Sequence, residues 1–151
     1  MMLTELLTPE RVLLPVTARD KRGVIRELAA LLVAQSGGDL AEVIEAVQER
    51  EDVLSTGIGH SIAIPHGRTP TVRQLGVVCG LSPAPIAFES IDGEPVRLIF
   101  LVVGPESSAG PHIKLLGRIV RLVRREPLRQ RLLAARTPAE LYDTLLNAEV
   151  R

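Results

Sequence analysis

Aromatic residues make up only 2% of the 151-residue chain: two Phe, one Tyr and no Trp. The core must therefore be assembled from Leu, Val, Ile and Ala, and the chain lacks the aromatic platforms on which single-stranded nucleic acid stacks. Cysteine is nearly absent as well. Cys79 stands alone, which excludes an intrachain disulfide framework. Its place in the apolar run LGVVCGL suits a small buried hydrophobe better than a nucleophile. Neither charge is in excess: 18 Lys+Arg face 18 Asp+Glu, for a formal net charge of zero. That removes the electrostatic footprint of a nucleic-acid or acidic-membrane binder. Long apolar runs are missing too. Nothing approaches the roughly 18 uninterrupted apolar residues of a membrane span. The opening MMLTELLTPERVLLPV has no basic n-region and meets Glu5 early, so no signal peptide is expected. The expectation is a soluble cytoplasmic protein with no direct membrane insertion.

What the chain does have is 46% apolar residues, enough for one globular domain over residues 1–151 with a sizeable core. The segment RIVRLVRREPLRQR, Arg118 to Arg131, is locally basic. It reads as a solvated helix face, with a patch for a protein partner as the alternative. Elsewhere helical and extended patterns alternate, which predicts an α/β fold: a single domain with a mixed sheet flanked by helices on both sides. Residues 11–16 read as a short extended lead-in. Asp20 is placed to cap a helix carrying Val24, Leu28, Leu31 and Leu32 on one face, ended by Gly37-Gly38. Asp39 opens a second, with Leu40, Val43, Ile44 and Val47 inward, running out near Arg50-Glu51. Strands are expected over 61–64, 74–81 and, most strongly, 95–104, where PVRLIFLVVG is continuously apolar; 85–90 reads as a separate extended piece. A loop at 107–111 delivers His112 to the start of a third helix whose wide apolar face predicts burial on more than one side. Pro127 opens a shorter helix. Thr137-Pro138-Ala139-Glu140 is a capping box before the last one, with Leu141, Leu145 and Leu146 inward.

Two of the three histidines fall within STGIGHSIAIPHGR, residues 55–68. Gly57 and Gly59 permit close backbone approach, a weak signal by itself. Pro65-His66-Gly67 says more: proline ends the apolar run, glycine frees the next turn, and the imidazole projects from the end of a strand, where α/β folds commonly place their sites. A neutral imidazole nitrogen is a competent nucleophile near neutral pH. A loop histidine with satisfied hydrogen bonds is the competing reading. For His112 an ordinary polar residue at a helix start competes, and for Arg50 a solvated helix end.

Other chemistries find less support. His60 and His66 lack the spacing of a helical zinc pair. Glu49, Glu51 and Asp52 could complete a metal site, but no recognised ligand pattern is present. There is no Gly-x-Ser-x-Gly, no activating neighbour for Cys79, and no phosphate-binding glycine pattern of a nucleotide enzyme.

TGIGHSIAIPHGR closely resembles the active-site signature of the mannitol/fructose/nitrogen-regulatory class of enzyme IIA in the bacterial phosphoenolpyruvate:sugar phosphotransferase system (the EIIA type-2 domain). The resemblance spans nearly the whole chain, from VLLPVTARDKRGVIRELAALL through ERED, IDGEPVRLIFLVVGP and HIKLLGRIVRLV to TPAELYDTL. It implies that His66 is the phosphoryl acceptor, that Arg50 is a cation for phosphoryl oxygens, and that His112 donates a hydrogen bond to the same group. Thr56 and the amides around Gly57 are weaker candidates for that pocket. The implied donor is phospho-HPr or its nitrogen-branch relative, and the acceptor an enzyme IIB or a regulatory target. The relay requires no metal and no organic cofactor. No fused IIB, IIC or HPr segment is visible, which tilts the expectation toward nitrogen-type regulation over sugar uptake. The alternative is a non-phosphorylated binding module of the same fold. Two positions depart from the pattern: His60, where Asn or another small polar residue is usual, and Ser61, where glycine is common.

Overall fold

The computed structural model describes residues 2–150. In chain order its elements are α1 (Leu3–Leu6), β1 (Val12–Leu13), α2 (Lys21–Ser36), α3 (Leu40–Val53), β2 (Gly57–Gly59), β3 (Ile62–Ala63), β4 (His66–Arg68), β5 (Gly76–Ile86), β6 (Val96–Gly104), α4 (Ala109–Arg124), α5 (Glu126–Leu133) and α6 (Pro138–Glu149). Single 3-10 turns at Pro9–Arg11 and Glu106–Ser108 precede β1 and α4.

The two apolar runs dominate the sheet. β5 and β6 pair antiparallel over most of their length, with Val77 opposite Val102 and Leu81 opposite Leu98. β1 adds parallel to β5, and β3 and β4 add parallel to the far edge of β6. β2 closes that edge antiparallel to β3, giving a mixed sheet. β3 and β4 are one strand interrupted at Pro65. The ladder is kept across the break, because the Pro65 carbonyl still accepts from Val102 N–H at 3.1 Å.

Strand alternation sorts side chains to two cores. Ile62, Ile64, Val77, Cys79, Leu98, Phe100 and Val102 pack with Leu115, Ile119, Leu141 and Leu145 from α4 and α6. Ala63, Val78, Ile99, Leu101 and Val103 pack with Val24, Leu28, Val43 and Val47 from α2 and α3. Helices therefore cover both faces, as the alternating pattern predicts. Cys79 is fully buried, and burial pushes its thiol pKa far up, leaving an inert thiol.

The expected caps form. Asp20 accepts from Gly23 N–H at 2.7 Å, Asp39 from Glu42 N–H at 3.0 Å and the Thr137 hydroxyl from Glu140 N–H at 3.1 Å. The reciprocal half of the capping box is displaced by one residue, with the Glu140 carboxylate accepting from Arg136 N–H.

Several expectations are corrected. The 11–16 lead-in is a strand only over Val12–Leu13, because Pro15 has no N–H for the ladder; Val16 N–H then bonds the Leu81 carbonyl. Residues 85–86 belong to β5, reached across an irregularity between Leu81 and Ile86, so no separate strand exists there. Helix α4 is buried on one side only: His112, Leu115, Ile119, Leu122 and Val123 face inward while Ile113 is 63% exposed. Leu40 is partly exposed and Leu146 only half-buried. Within the basic segment, Arg121, Arg124, Arg125 and Arg131 are exposed. Arg118 instead pairs with Glu149, and buried Arg129 caps α4 by donating to the Val123 carbonyl. No helix among the described residues is long and apolar enough to cross a membrane.

Candidate active site

β4 positions His66. Its alternation puts His66 on the face already taken by Ile62 and Ile64, toward α4, and Gly67 on the opposite face, against α3. Gly67 does not free a turn, as its place after Pro65-His66 suggests; it sits within the strand, and its need is for space. A Cβ there would lie 3.0 Å from the Ala46 carbonyl carbon and 3.0 Å from the Val47 nitrogen, both α3 backbone. Glycine lets α3 lie directly on β4, and the alternation then commits His66 to the α4 side.

His66 Nδ1 lies 2.8 Å from the Ile64 carbonyl oxygen. A carbonyl only accepts, so Nδ1 carries the proton and Nε2 keeps its lone pair. Burial is the main force holding the His66 imidazole below the usual histidine range. The bond to Ile64 and the Glu51 carboxylate oppose that effect, while Arg50 and Arg68 reinforce it. The ring is therefore neutral near pH 7, with a nucleophilic nitrogen free.

His112 meets it from the first turns of α4. The rings stand edge to face, at an interplanar angle of 69° with centroids 5.7 Å apart. His112 is 1% exposed, and neither ring nitrogen has a hydrogen-bond partner among the described residues. Burial, then the neighbouring His66 and Arg68, push its pKa down to about 4. A buried polar ring with both nitrogens unpaired is costly and calls for an incoming partner.

Arg50 lies near the C-terminal end of α3, where Nη1 donates to the Leu54 carbonyl at 2.7 Å. Its charge reaches His66. Thr56 and Gly57 are less available than expected. Buried Glu51 accepts from both Thr56 N–H and Thr56 Oγ1 and pairs with Lys21 Nζ at 3.2 Å. Gly57 N–H donates to Ser55 Oγ at 3.1 Å. The structure thus makes Glu51 an anchor of the Thr56 loop, while Glu49 and Asp52 are not drawn into it.

The third histidine stands apart. His60 and Ser61 form the two-residue turn joining β2 and β3, with φ of 56° and 70°. Left-handed conformations at both positions are what a tight hairpin of this twist requires. The Asp92 carboxylate holds the turn by accepting from His60 N–H at 3.1 Å. Ile62 pairs with Leu98 and His66 with Val102, so this turn lies more than roughly 13 Å along the sheet from His66. Among the described residues no three of His, Cys, Asp and Glu gather as a metal site.

Sequence reasoning missed Arg68. It is two residues beyond His66 on β4, on the same strand face, and its charge acts on both histidines. Carrying the strand's two-residue period past Pro65 would have found it.

Comparison with known proteins agrees with this architecture. A family model described as phosphoenolpyruvate-dependent sugar phosphotransferase system, EIIA 2, matches residues 5–148. A nitrogen regulatory protein of Bradyrhizobium diazoefficiens is 35% identical over 145 residues, covering 96% of this chain and 95% of the relative. The fructose-specific EIIABC component of the phosphotransferase system of Bacillus subtilis is also 35% identical, over 146 residues; these span 96% of this chain but 23% of that longer protein. The crystal structure of nitrogen regulatory protein IIA-Ntr from Neisseria meningitidis superposes with a TM-score of 0.88 at 30% identity, covering 95% of this chain and 98% of that one. With nearly the whole chain matched, this protein belongs to the EIIA type 2 family of the phosphoenolpyruvate-dependent sugar phosphotransferase system.

Proposed function

We propose that this protein is a cytoplasmic phosphohistidine carrier in which His66 Nε2 accepts a phosphoryl group. The observation that carries this reading is the Nδ1–H bond to the Ile64 carbonyl, which leaves Nε2 unprotonated in a neutral ring. In the transfer, the Nε2 lone pair forms a bond to phosphorus as the bond to the donor's histidine nitrogen breaks. That nitrogen recovers its electron pair, and no proton has to move. The accepting ring gains positive charge, and the Ile64 carbonyl stabilises it through the retained Nδ1–H. His112 supplies a hydrogen bond to a phosphoryl oxygen, satisfying one of its unpaired nitrogens. Arg50 supplies positive charge where the transition state spreads negative charge over the equatorial oxygens. The protein contributes position and electrostatics.

The donor is phospho-HPr or its nitrogen-branch relative. The phosphoryl group then passes to an enzyme IIB or is held as a regulatory signal. The regulatory role is favoured, because relatives named nitrogen regulatory protein and the solved IIA-Ntr structure resemble the chain at 30–35% identity along nearly its whole length.

The test combines labelled phosphoenolpyruvate, enzyme I and HPr, or the nitrogen-branch pair, with wild-type protein and His66→Ala. Acid-labile, base-stable label on wild type alone is the expected result. Label on both moves the acceptor to another histidine. Label on neither, with both donor pairs active, makes the chain a binding module of this fold.

A further inference from the structure

On the reading that His66 carries the phosphoryl group, we propose that Arg68 is a second phosphoryl-binding cation, held by Glu106 while the site is empty and transferred to the phosphoryl oxygens when His66 is loaded.

The strand geometry places it. β4 pairs with β6 residue for residue: His66 with Val102, Gly67 with Val103 and Arg68 with Gly104. His66 and Arg68 therefore share a face, roughly 7 Å apart along the strand. An extended arginine side chain spans that distance. Gly67, between them, points to α3 and offers no side chain in the way.

The present partner of Arg68 is weakly held. Nη1 lies 3.4 Å from Glu106 Oε2, with the Arg68 side chain 34% exposed and that of Glu106 79% exposed. An exposed pair at this distance contributes little. This is the only hydrogen bond of the Arg68 guanidinium among the described residues. Its remaining N–H groups form a fork suited to two oxygens of one phosphoryl group.

Both members of the pair flank the two histidines. Glu106 opens the 3-10 turn that runs directly into α4, three residues before Ala109. The Arg68 charge lowers both the His66 and the His112 pKa, so its field is felt at both rings. A phosphoryl dianion arriving on Nε2 attracts Arg68 and repels Glu106, so loading the site breaks the pair. Arg50 stands near the end of α3 and Arg68 on β4, so the two cations come from different elements. Nε2 still forms the bond to phosphorus as the donor's P–N bond breaks; Arg68 adds charge and alignment and exchanges no proton.

The experiment is single-turnover phosphoryl transfer from the phosphorylated donor to full-length wild type, Arg68→Gln, Arg68→Lys and Glu106→Gln, with urea midpoints measured alongside. Arg68→Gln should slow acceptance roughly 10- to 100-fold and lower the loaded fraction at equilibrium. Arg68→Lys should recover part of the loss. Glu106→Gln should be as fast as wild type or faster, since it frees the cation. Equal slowing by Arg68→Gln and Glu106→Gln would make the pair a structural brace and overturn the proposal, as would an Arg68→Gln rate within twofold of wild type. Wild type that takes no label from either donor overturns the carrier reading itself, and that result is obtained before any variant is compared.

Discussion

The carbonyl of Ile64 holds the imidazole of His66, two residues ahead of it, by a 2.8 Å bond to Nδ1. Acceptor and anchor thus lie on one stretch of chain, so the tautomer is set by backbone. With the ring held below the usual histidine range mainly by burial, phosphoryl acceptance should stay level through neutral pH. It should fall only below the ordinary histidine titration range, as Nε2 takes a proton. A rate of transfer that halves between about pH 8 and about pH 6.5, the ordinary histidine range, would contradict this.

His112 makes stability depend on pH in a definite direction. Its pKa is pushed down to about 4 in the folded state, against an unfolded value near about 6.5. Between those values the unfolded chain binds a proton that the folded chain refuses, so stability falls as pH drops from about 6.5 toward 4 and is fully present above that window. The contribution lost by about pH 4.5 is on the order of 2 kcal/mol. Urea unfolding of wild type and His112→Gln at about pH 7.5 and about pH 4.5, on either side of that window, should show the smaller loss in the variant.

Arg50→Ala and His112→Ala should each slow phosphoryl transfer, by roughly 10- to 1000-fold, the range for one transition-state donor. Rapid-quench transfer measurements decide it. Wild-type rates in both variants would remove these residues from the mechanism.

Gly67→Ala should destabilise the protein by about 1–3 kcal/mol, since its Cβ meets α3 backbone and not a flexible side-chain tip. Parting β4 from α3 also displaces His66, so acceptance should drop with stability. A variant with a wild-type urea midpoint would show that the helix yields freely.

Ser61→Gly should do the reverse. Ser61 has φ of 70° in the β2–β3 turn, a conformation that costs a residue with a Cβ roughly 1 kcal/mol. The substitution should raise the urea midpoint while leaving the transfer rate alone, because the turn lies well along the sheet from His66.

Much of the fold is legible in the sequence because its signals are local. PVRLIFLVVG forms a central strand, and the Asp20, Asp39 and Thr137 caps open α2, α3 and α6 where side chain and backbone demand it. IAIPHG places His66, and the resemblance pairs it with His112 from a distant part of the chain, which the 5.7 Å ring separation shows as neighbours. The illegible features depend on tertiary contact. Gly67 looks like a turn glycine until α3 is seen lying on it. Glu51 looks like a stray carboxylate until it closes on Thr56 and Lys21. The stripe of α4 that includes Ile113 looks buried, yet helical periodicity gives no count of how many neighbours the helix has. Arg68 is hidden because Pro65 looks like a strand's end, and the strand resumes one residue later.

The interrupted strand from Ile62 to Arg68 makes the site a matter of parity. Even-numbered Ile62, Ile64, His66 and Arg68 face α4, while odd-numbered Ala63 and Gly67 face α3. A one-residue deletion between β2 and His66 would exchange the two sets. The imidazole would then be driven against helix backbone where only a hydrogen fits, and a glycine would be set opposite His112. The segment's length can therefore change only in steps of two if His66 and Gly67 are to keep their faces.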